Sequence, residues 1–254
     1  MIEKNKIILG FKKLGLQSGD IVLVHSSFKS FGGVDGGPQT VIDALTEIVG
    51  KNGTLLFPTF NFNFSSEGST FDVKKTPSQM GILTEFARKN PNSKRTLDPI
   101  YSFAVLGKLK DELGNLVYEN SYGPNSMFAK LREKKGKIMV IGLKFSNSLA
   151  FFHHVEEMQK VDYRFPKEFH GEIIDYNNER KKGKVTLYVR NLEMGTLTDV
   201  DKMGVILENE NIVKVQKIGN SLVKLMDAKE VYARTVQEMK KNPHILCNFK
   251  KSKH

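Results

Sequence analysis

Residues 19–58 constrain the fold of this chain more than any other stretch. A turn at Gly19–Asp20 leads into the apolar run 21–24, and a polar loop with four glycines follows. Pro38 then opens a segment whose apolar positions Val41, Leu45, Ile48 and Val49 keep helical spacing. Proline suits the first helical position and Gly50 the position just past the end. After a turn over 51–53, a second apolar run, 54–57, stops at Pro58. The order strand, loop, helix, strand predicts a layered α/β fold whose neighbouring strands share a central sheet.

Later segments extend this pattern. Their spacing predicts a helix capped by Ser78 and running to about Lys89, a strand over 101–106, a helix over 126–133 and a buried strand over 137–142. Residues 171–175, 184–190 and 212–226, with turns at Asn177–Asn178 and Gly219–Asn220, predict β segments. They form either an antiparallel extension of the main sheet or a β-rich subdomain over 171–226. Asp227 with Glu230 predicts a capping box for a last helix that reaches about Lys241 and stops before Pro243. The expected architecture is a single domain over 1–254, an α/β/α sandwich around a central mixed sheet with a small antiparallel β extension toward the C-terminus. A basic tail over 242–254 follows, and 254 residues suffice to bury a real core.

Composition narrows the function classes. The single cysteine, Cys247, excludes an intramolecular disulfide framework and a multi-cysteine metal site. No apolar run approaches the roughly 20 residues of a membrane span, and no signal pattern precedes the first one. A soluble protein of the reducing cytoplasm is expected. The net charge of +11 favours anionic partners, although five of the charges, Lys240, Lys241, Lys250, Lys251 and Lys253, fall after Glu238 in a stretch without a carboxylate. Nucleic-acid binding predicts aromatic residues interleaved along a basic groove. Here Phe28 and Phe31 flank glycines and the tail lysines have only Phe249 for company, so neither nucleic acid nor membrane is an expected partner.

The chain lacks a GxxxxGK[ST] phosphate loop, a GxSxG elbow, an HExxH helix and a spaced GxGxxG fingerprint. Polar density remains at the ends of predicted strands, where open α/β sheets place ligands. One such region runs from His25 through Ser26, Ser27, Lys29 and Ser30 to the glycines before Pro38. It leads into a helix N-terminus that favours an anion. The other is the segment 147–157. On a helix His153 shares a face with Glu156, and His154 with Glu157, so one pair can enter a cleft while the other meets solvent. A carboxylate beside an imidazole fixes its orientation and raises its pKa, which suits a general base. A metal site and an ordinary helix surface are the competing readings. Adjacent helical histidines point about 100° apart, which makes joint ligation awkward.

Five pieces, in order, carry a resemblance: HSSFKSFGGVDGGPQTVIDAL from His25, GTLLFPTF from Gly53, DPIYSFAVLG from Asp98, SYGPNSMFAKL from Ser121 and SLAFFHHVEEMQKVDYR from Ser148. In these the chain resembles the aminoglycoside 3-N-acetyltransferase family, which acylates amino sugars from acyl-coenzyme A. The resemblance implies acetyl-CoA or another acyl-CoA as co-substrate and no metal. It implies direct transfer without a covalent enzyme intermediate, His153 as general base and Glu156 as its partner. It further implies that acyl-CoA meets His25, Ser26, Ser27, Ser30, Phe31, Gly32, Gly33 and Ser102, that the Ser26–Gly33 loop supplies oxyanion donors, and that Lys29 or Arg95 neutralises phosphate. A homodimer is the assembly considered. Where the family usually has a basic residue and then His-Pro, this chain has Arg95 but Asp98 before Pro99. With the net charge, that departure predicts an anionic acceptor, a nucleotide-linked amino sugar. The alternatives are a true aminoglycoside 3-N-acetyltransferase conferring antibiotic resistance and, further off, a metal-dependent hydrolase.

Overall fold

In the computed structural model, which describes residues 1–250, helix α1 (Lys4–Lys13) precedes strand β1 (Ile21–Ser26), helix α2 (Gly37–Val49) and strand β2 (Thr54–Pro58). Next come β3 (Thr70–Asp72), α3 (Ile82–Lys89), β4 (Lys94–Arg95), β5 (Phe103–Gly107), α4 (Lys110–Gly114), α5 (Met127–Glu133), β6 (Lys137–Ile141) and α6 (Phe151–Met158). The last third holds β7 (Arg164–Ile174), β8 (Arg180–Arg190), β9 (Thr196–Thr198), α7 (Asp201–Asn209), β10 (Lys214–Ile218), β11 (Ser221–Asp227), α8 (Ala228–Met239) and β12 (Cys247–Phe249). Lys251 and Lys253 of the expected tail lie outside the described residues.

The central sheet has the order β10-β11-β6-β1-β2-β5-β4. β6, β1 and β2 run parallel at its middle, and the outer strands pair antiparallel, so the sheet is mixed as expected. The parallel strands are apolar on both faces because both are covered. Leu23, Leu56, Ile138 and Val140 enter one core with α5, α6 and α8. Val22, Val24, Leu55, Phe57, Met139 and Ile141 enter the other with α1, α2 and α3. Strand alternation therefore puts His25, two residues after Leu23, on the face that carries α6.

Residues 171–226 divide among three sheets. β10 and β11 form a hairpin that extends the main sheet beyond β6. β7 and β8 pair over their full length, with β3 added in parallel, in a separate three-stranded sheet. Part of the expected tail is a strand too, since β12 pairs with β9. The helix expected from Ser78 starts later, with Gly81 as its N-cap. The Ser78 hydroxyl instead meets Thr84 Oγ1 and accepts from the Met80 amide, which makes it part of the turn before α3. Ser126 and Asp227 do cap their helices, accepting from Ala129 N and from Lys229 and Glu230 N respectively.

Candidate active site

His25 at the end of β1 and His153 on α6 line one cavity of about 240 Å³ at the C-terminal ends of the parallel strands. Phe60, Phe62, Met80 and Tyr101 form its apolar wall, and Ser146, Asn147, Ser148 and Thr198 supply hydroxyl and amide groups. α6 sits here because Phe151, Phe152 and Val155 bury against the sheet, which turns His153 toward the strand ends.

His153 Nδ1 lies 2.7 Å from Glu156 Oε2, the i,i+3 pair expected from the helical spacing. A third group, not anticipated from the sequence, completes the cluster. Arg164, at the start of β7, brings Nε to 2.8 Å from the same Glu156 oxygen and Nη2 to 3.0 Å from His153 Nδ1. Its Nη1 donates to Tyr188 O and its Nη2 also reaches Thr198 Oγ1, which fix the fork. A guanidinium only donates and a carboxylate only accepts, so Nδ1 serves Glu156 with a proton or Arg164 with a lone pair. The Glu156 contact is the shorter, and Arg164 Nη2 has another acceptor in Thr198 Oγ1, so we assign the proton to Nδ1. Nε2 is then the free base of a side chain that keeps 18% exposure while Glu156 has none.

Electrostatics here corrects the expectation of a raised imidazole pKa. Burial and the Arg164 guanidinium push the His153 pKa down, and Glu156, already paired with Arg164, does not offset them. Burial alone acts upward on Glu156, but the His153 hydrogen bond and Arg164 outweigh it, so its carboxyl stays below the ordinary value. His153 is thus held neutral below the usual imidazole range. Burial takes His25 down to about 3, so it too is neutral, and its Nε2 is enclosed without a hydrogen-bond partner.

The second pair, His154 and Glu157, does not form. Both faces of α6 are covered, so His154 is fully buried, with Nδ1 2.6 Å from Tyr122 O, while Glu157 accepts from Asn120. His154 is a packing residue against Phe151 and Tyr232. His154→Ala is expected to cost about 2–4 kcal/mol of stability through the cavity and the lost hydrogen bond. It should leave kcat at a permissive temperature within a fewfold of wild type, as checked by thermal unfolding beside steady-state kinetics.

The residues expected to hold acyl-CoA separate. Ser26 ends β1 and Ser27 follows it, both half-buried, and the Ser27 amide donates to Ile141 O. Lys29 is exposed, whereas Ser30 is spent on Ser27 O and Ser221 Oγ and Phe31 is buried in the core around α1 and α2. Gly32 and Gly33 face a different cleft, beside α1. Arg95 and Ser102 require correction. Arg95 is buried, with Nη2 on Thr59 O, Nη1 on Thr76 O and Nε on Ser102 Oγ. Both side chains hold the strand ends together and neither is open to a phosphate, and burial lowers the Arg95 pKa to about 9. Asp98 is likewise structural. It accepts from the Ile100 and Tyr101 amides and from Ser121 Oγ, so it carries no information about the acceptor.

Among the described residues no group of three or more His, Cys, Asp or Glu is placed to hold a metal ion, and no helix is long and apolar enough to cross a membrane. The chain is 29% identical over 249 residues to the SPbeta prophage-derived aminoglycoside N(3')-acetyltransferase-like protein YokD of Bacillus subtilis, covering 89% of this chain and 88% of that protein. It is 29% identical over 198 residues to aminoglycoside N(3)-acetyltransferase VII of Streptomyces paromomycinus, 68% of each. Its fold superposes on aminoglycoside acetyltransferase AAC(3)-Xa with a TM-score of 0.84 at 22% identity, over 94% of this chain and 93% of that one. The AAC-IIIb binary with CoASH gives 0.82 at 20%, over 94% and 97%. The sequence profile of aminoglycoside 3-N-acetyltransferases matches residues 23–240. A chain so matched across its sheet, its cavity and the His153–Glu156–Arg164 cluster belongs to the aminoglycoside 3-N-acetyltransferase family.

Proposed function

We propose that this protein transfers the acetyl group of acetyl-CoA to an amine of an amino sugar of the aminoglycoside kind, with His153 as general base. The observation that carries the reading is the 2.7 Å His153–Glu156 contact at the edge of a cavity on the strand ends. Acetyl-CoA supplies the activated acyl group as a thioester. As the amine nitrogen bonds to the acyl carbon and the thioester C–S bond breaks, His153 Nε2 takes the amine proton and passes it to the departing thiolate so that CoA leaves as the thiol, while Glu156 orients the ring and stabilises the imidazolium that forms in between.

One observation favours a second reading of the acceptor. No carboxylate lines the cavity. Such a wall offers a polycation no counter-charge and suits an acceptor of low or negative charge, such as a nucleotide-linked amino sugar. A thiol-release assay with acetyl-CoA against both classes tests the reading. Amine-dependent thiol release with either class supports the reaction, and its absence with every amino sugar while CoA binds would contradict it. If the anionic class leads, its KM is expected to rise with salt as the attraction is screened.

A further inference from the structure

Glu156 is fully buried, and the contacts described so far use only one of its oxygens. Oε2 meets both His153 Nδ1, at 2.7 Å, and Arg164 Nε, at 2.8 Å. Oε1 is enclosed and has no partner of regular hydrogen-bond geometry among the described residues. An ionised oxygen left unbonded away from water is costly. The last torsion of a glutamate is also broad, so a carboxylate anchored through one oxygen can turn and carry that oxygen off the imidazole proton.

The matching group is Tyr163, the residue just before Arg164. Its side chain is fully buried, and its hydroxyl likewise has no partner of regular geometry. That hydroxyl lies within hydrogen-bonding reach of the Glu156 carboxylate, and burial, then the Glu156 charge, push the phenol pKa up, so it keeps its proton. A protonated phenol can donate, whereas an ionised carboxylate only accepts. An orphaned donor and an orphaned acceptor therefore stand together behind the base. The ring is held there by the segment that follows α8, which lays His244 and Phe249 edge-on against it with centroids 5.6 and 6.5 Å away. Cys247 is the other proton-bearing group close to both, since burial raises its thiol to about 11. A thiol is the weaker donor.

We propose that Tyr163 is a positioning residue of the reaction, its hydroxyl donating to Glu156 Oε1 so that Oε2 stays fixed on His153 Nδ1. The proposal rests on the reading of His153 as general base. Tyr163 is not among the residues that line the cavity, so it acts on the proton transfer only through Glu156.

The test compares wild type with Tyr163→Phe, Glu156→Gln, the double variant and Cys247→Ala. Tyr163→Phe removes the oxygen and keeps the ring against His244 and Phe249, so the fold should hold, as thermal unfolding checks. Two quantities are read: kcat for thiol release, and the titration midpoint of the His153 imidazole by NMR in the resting protein, assigned by the loss of its signal in His153→Ala. Glu156→Gln lowers that midpoint by removing the carboxylate charge. Tyr163→Phe is expected to lower it by a smaller amount and to cut kcat about tenfold, the lower end of what a hydrogen bond to a charged group is worth, with both KM values unchanged. Placed on Glu156→Gln, it should change kcat by less than about twofold, because residues that act through one another are not additive. Cys247→Ala should match wild type in both readings. A midpoint that stays or rises in Tyr163→Phe, an unchanged kcat, or a loss that repeats in full on Glu156→Gln would make Tyr163 merely structural and overturn the proposal. A loss in Cys247→Ala with none in Tyr163→Phe would overturn it in favour of the thiol. The NMR titration needs no substrate, so a lowered midpoint in a protein that acetylates no amino sugar would sink the reaction and leave the hold of Tyr163 on Glu156 standing.

Discussion

His153→Ala is expected to lower kcat by about 10²–10⁴-fold, the usual contribution of a positioned general base, with little change in affinity for CoA. The expectation follows from the tautomer assigned above. With its Nδ1 proton committed to Glu156, the ring has one free lone pair, on Nε2, in a side chain that lines the cavity. The loss should appear in kcat rather than in KM, because truncation removes an interaction made with the moving proton and not with the resting substrates. The fold should survive, since the side chain is partly exposed and its neighbours Phe151, Phe152 and Val155 carry the helix packing. A kcat within threefold of wild type, measured by thiol release at saturating substrates, would remove His153 from the chemistry.

Arg164→Met is expected to produce the second large effect, on stability and on pH dependence together. The guanidinium is the ion-pair partner of a carboxylate with no solvent exposure, and removing one member of a buried pair typically costs about 3–5 kcal/mol. Its positive charge also lowers the His153 pKa. Without it the imidazole binds its proton more readily, so activity should be lost at a higher pH on the acid side. Glu156→Gln removes the opposite influence, and its acidic limb should move to lower pH. Opposite shifts in the two variants, read from kcat against pH, distinguish an electrostatic role from a structural one. Shifts of the same sign would refute it. Where Arg164→Met folds poorly, Arg164→Lys keeps the charge without the fork and should retain more of the wild-type limb than Arg164→Met.

The pattern of residues 19–58 was readable because parallel central strands are apolar on both faces and their connections begin and end on Pro38 and Gly50, whose backbone preferences act locally. α1 was not anticipated, although Ile7, Ile8 and Phe11 make an apolar stripe. Its core contacts are with α2 and β10, elements far along the chain, and no side-chain cap marks its start. α7 was hidden for a similar reason: its buried residues Met203, Gly204 and Leu207 are few, and its N-cap is Val200. In the candidate site the i,i+3 spacing offered two pairs on one helix, His153–Glu156 and His154–Glu157, and the family resemblance singled out the first. Arg164 was not legible, because it joins the pair from a different element, by the turn that carries the chain from α6 into β7. The same distance effect misled the reading of Arg95 and Ser102. Polar residues near a strand end look like ligand contacts in a sequence, and only the packing reveals that they bond to each other and to Thr59.

The account stands most directly on the ionisation of His153 during turnover. kcat measured against pH for wild type and for His153→Ala, with one amino-sugar acceptor and saturating acetyl-CoA, reports the groups that titrate in the substrate complex. Wild type is predicted to lose activity on the acid side with a midpoint below 6.5, the ordinary imidazole value, because burial and Arg164 push that pKa down. In His153→Ala the residual activity is predicted to show no such limb, and the same limb persisting unchanged in that variant would contradict the assignment of His153 as the base.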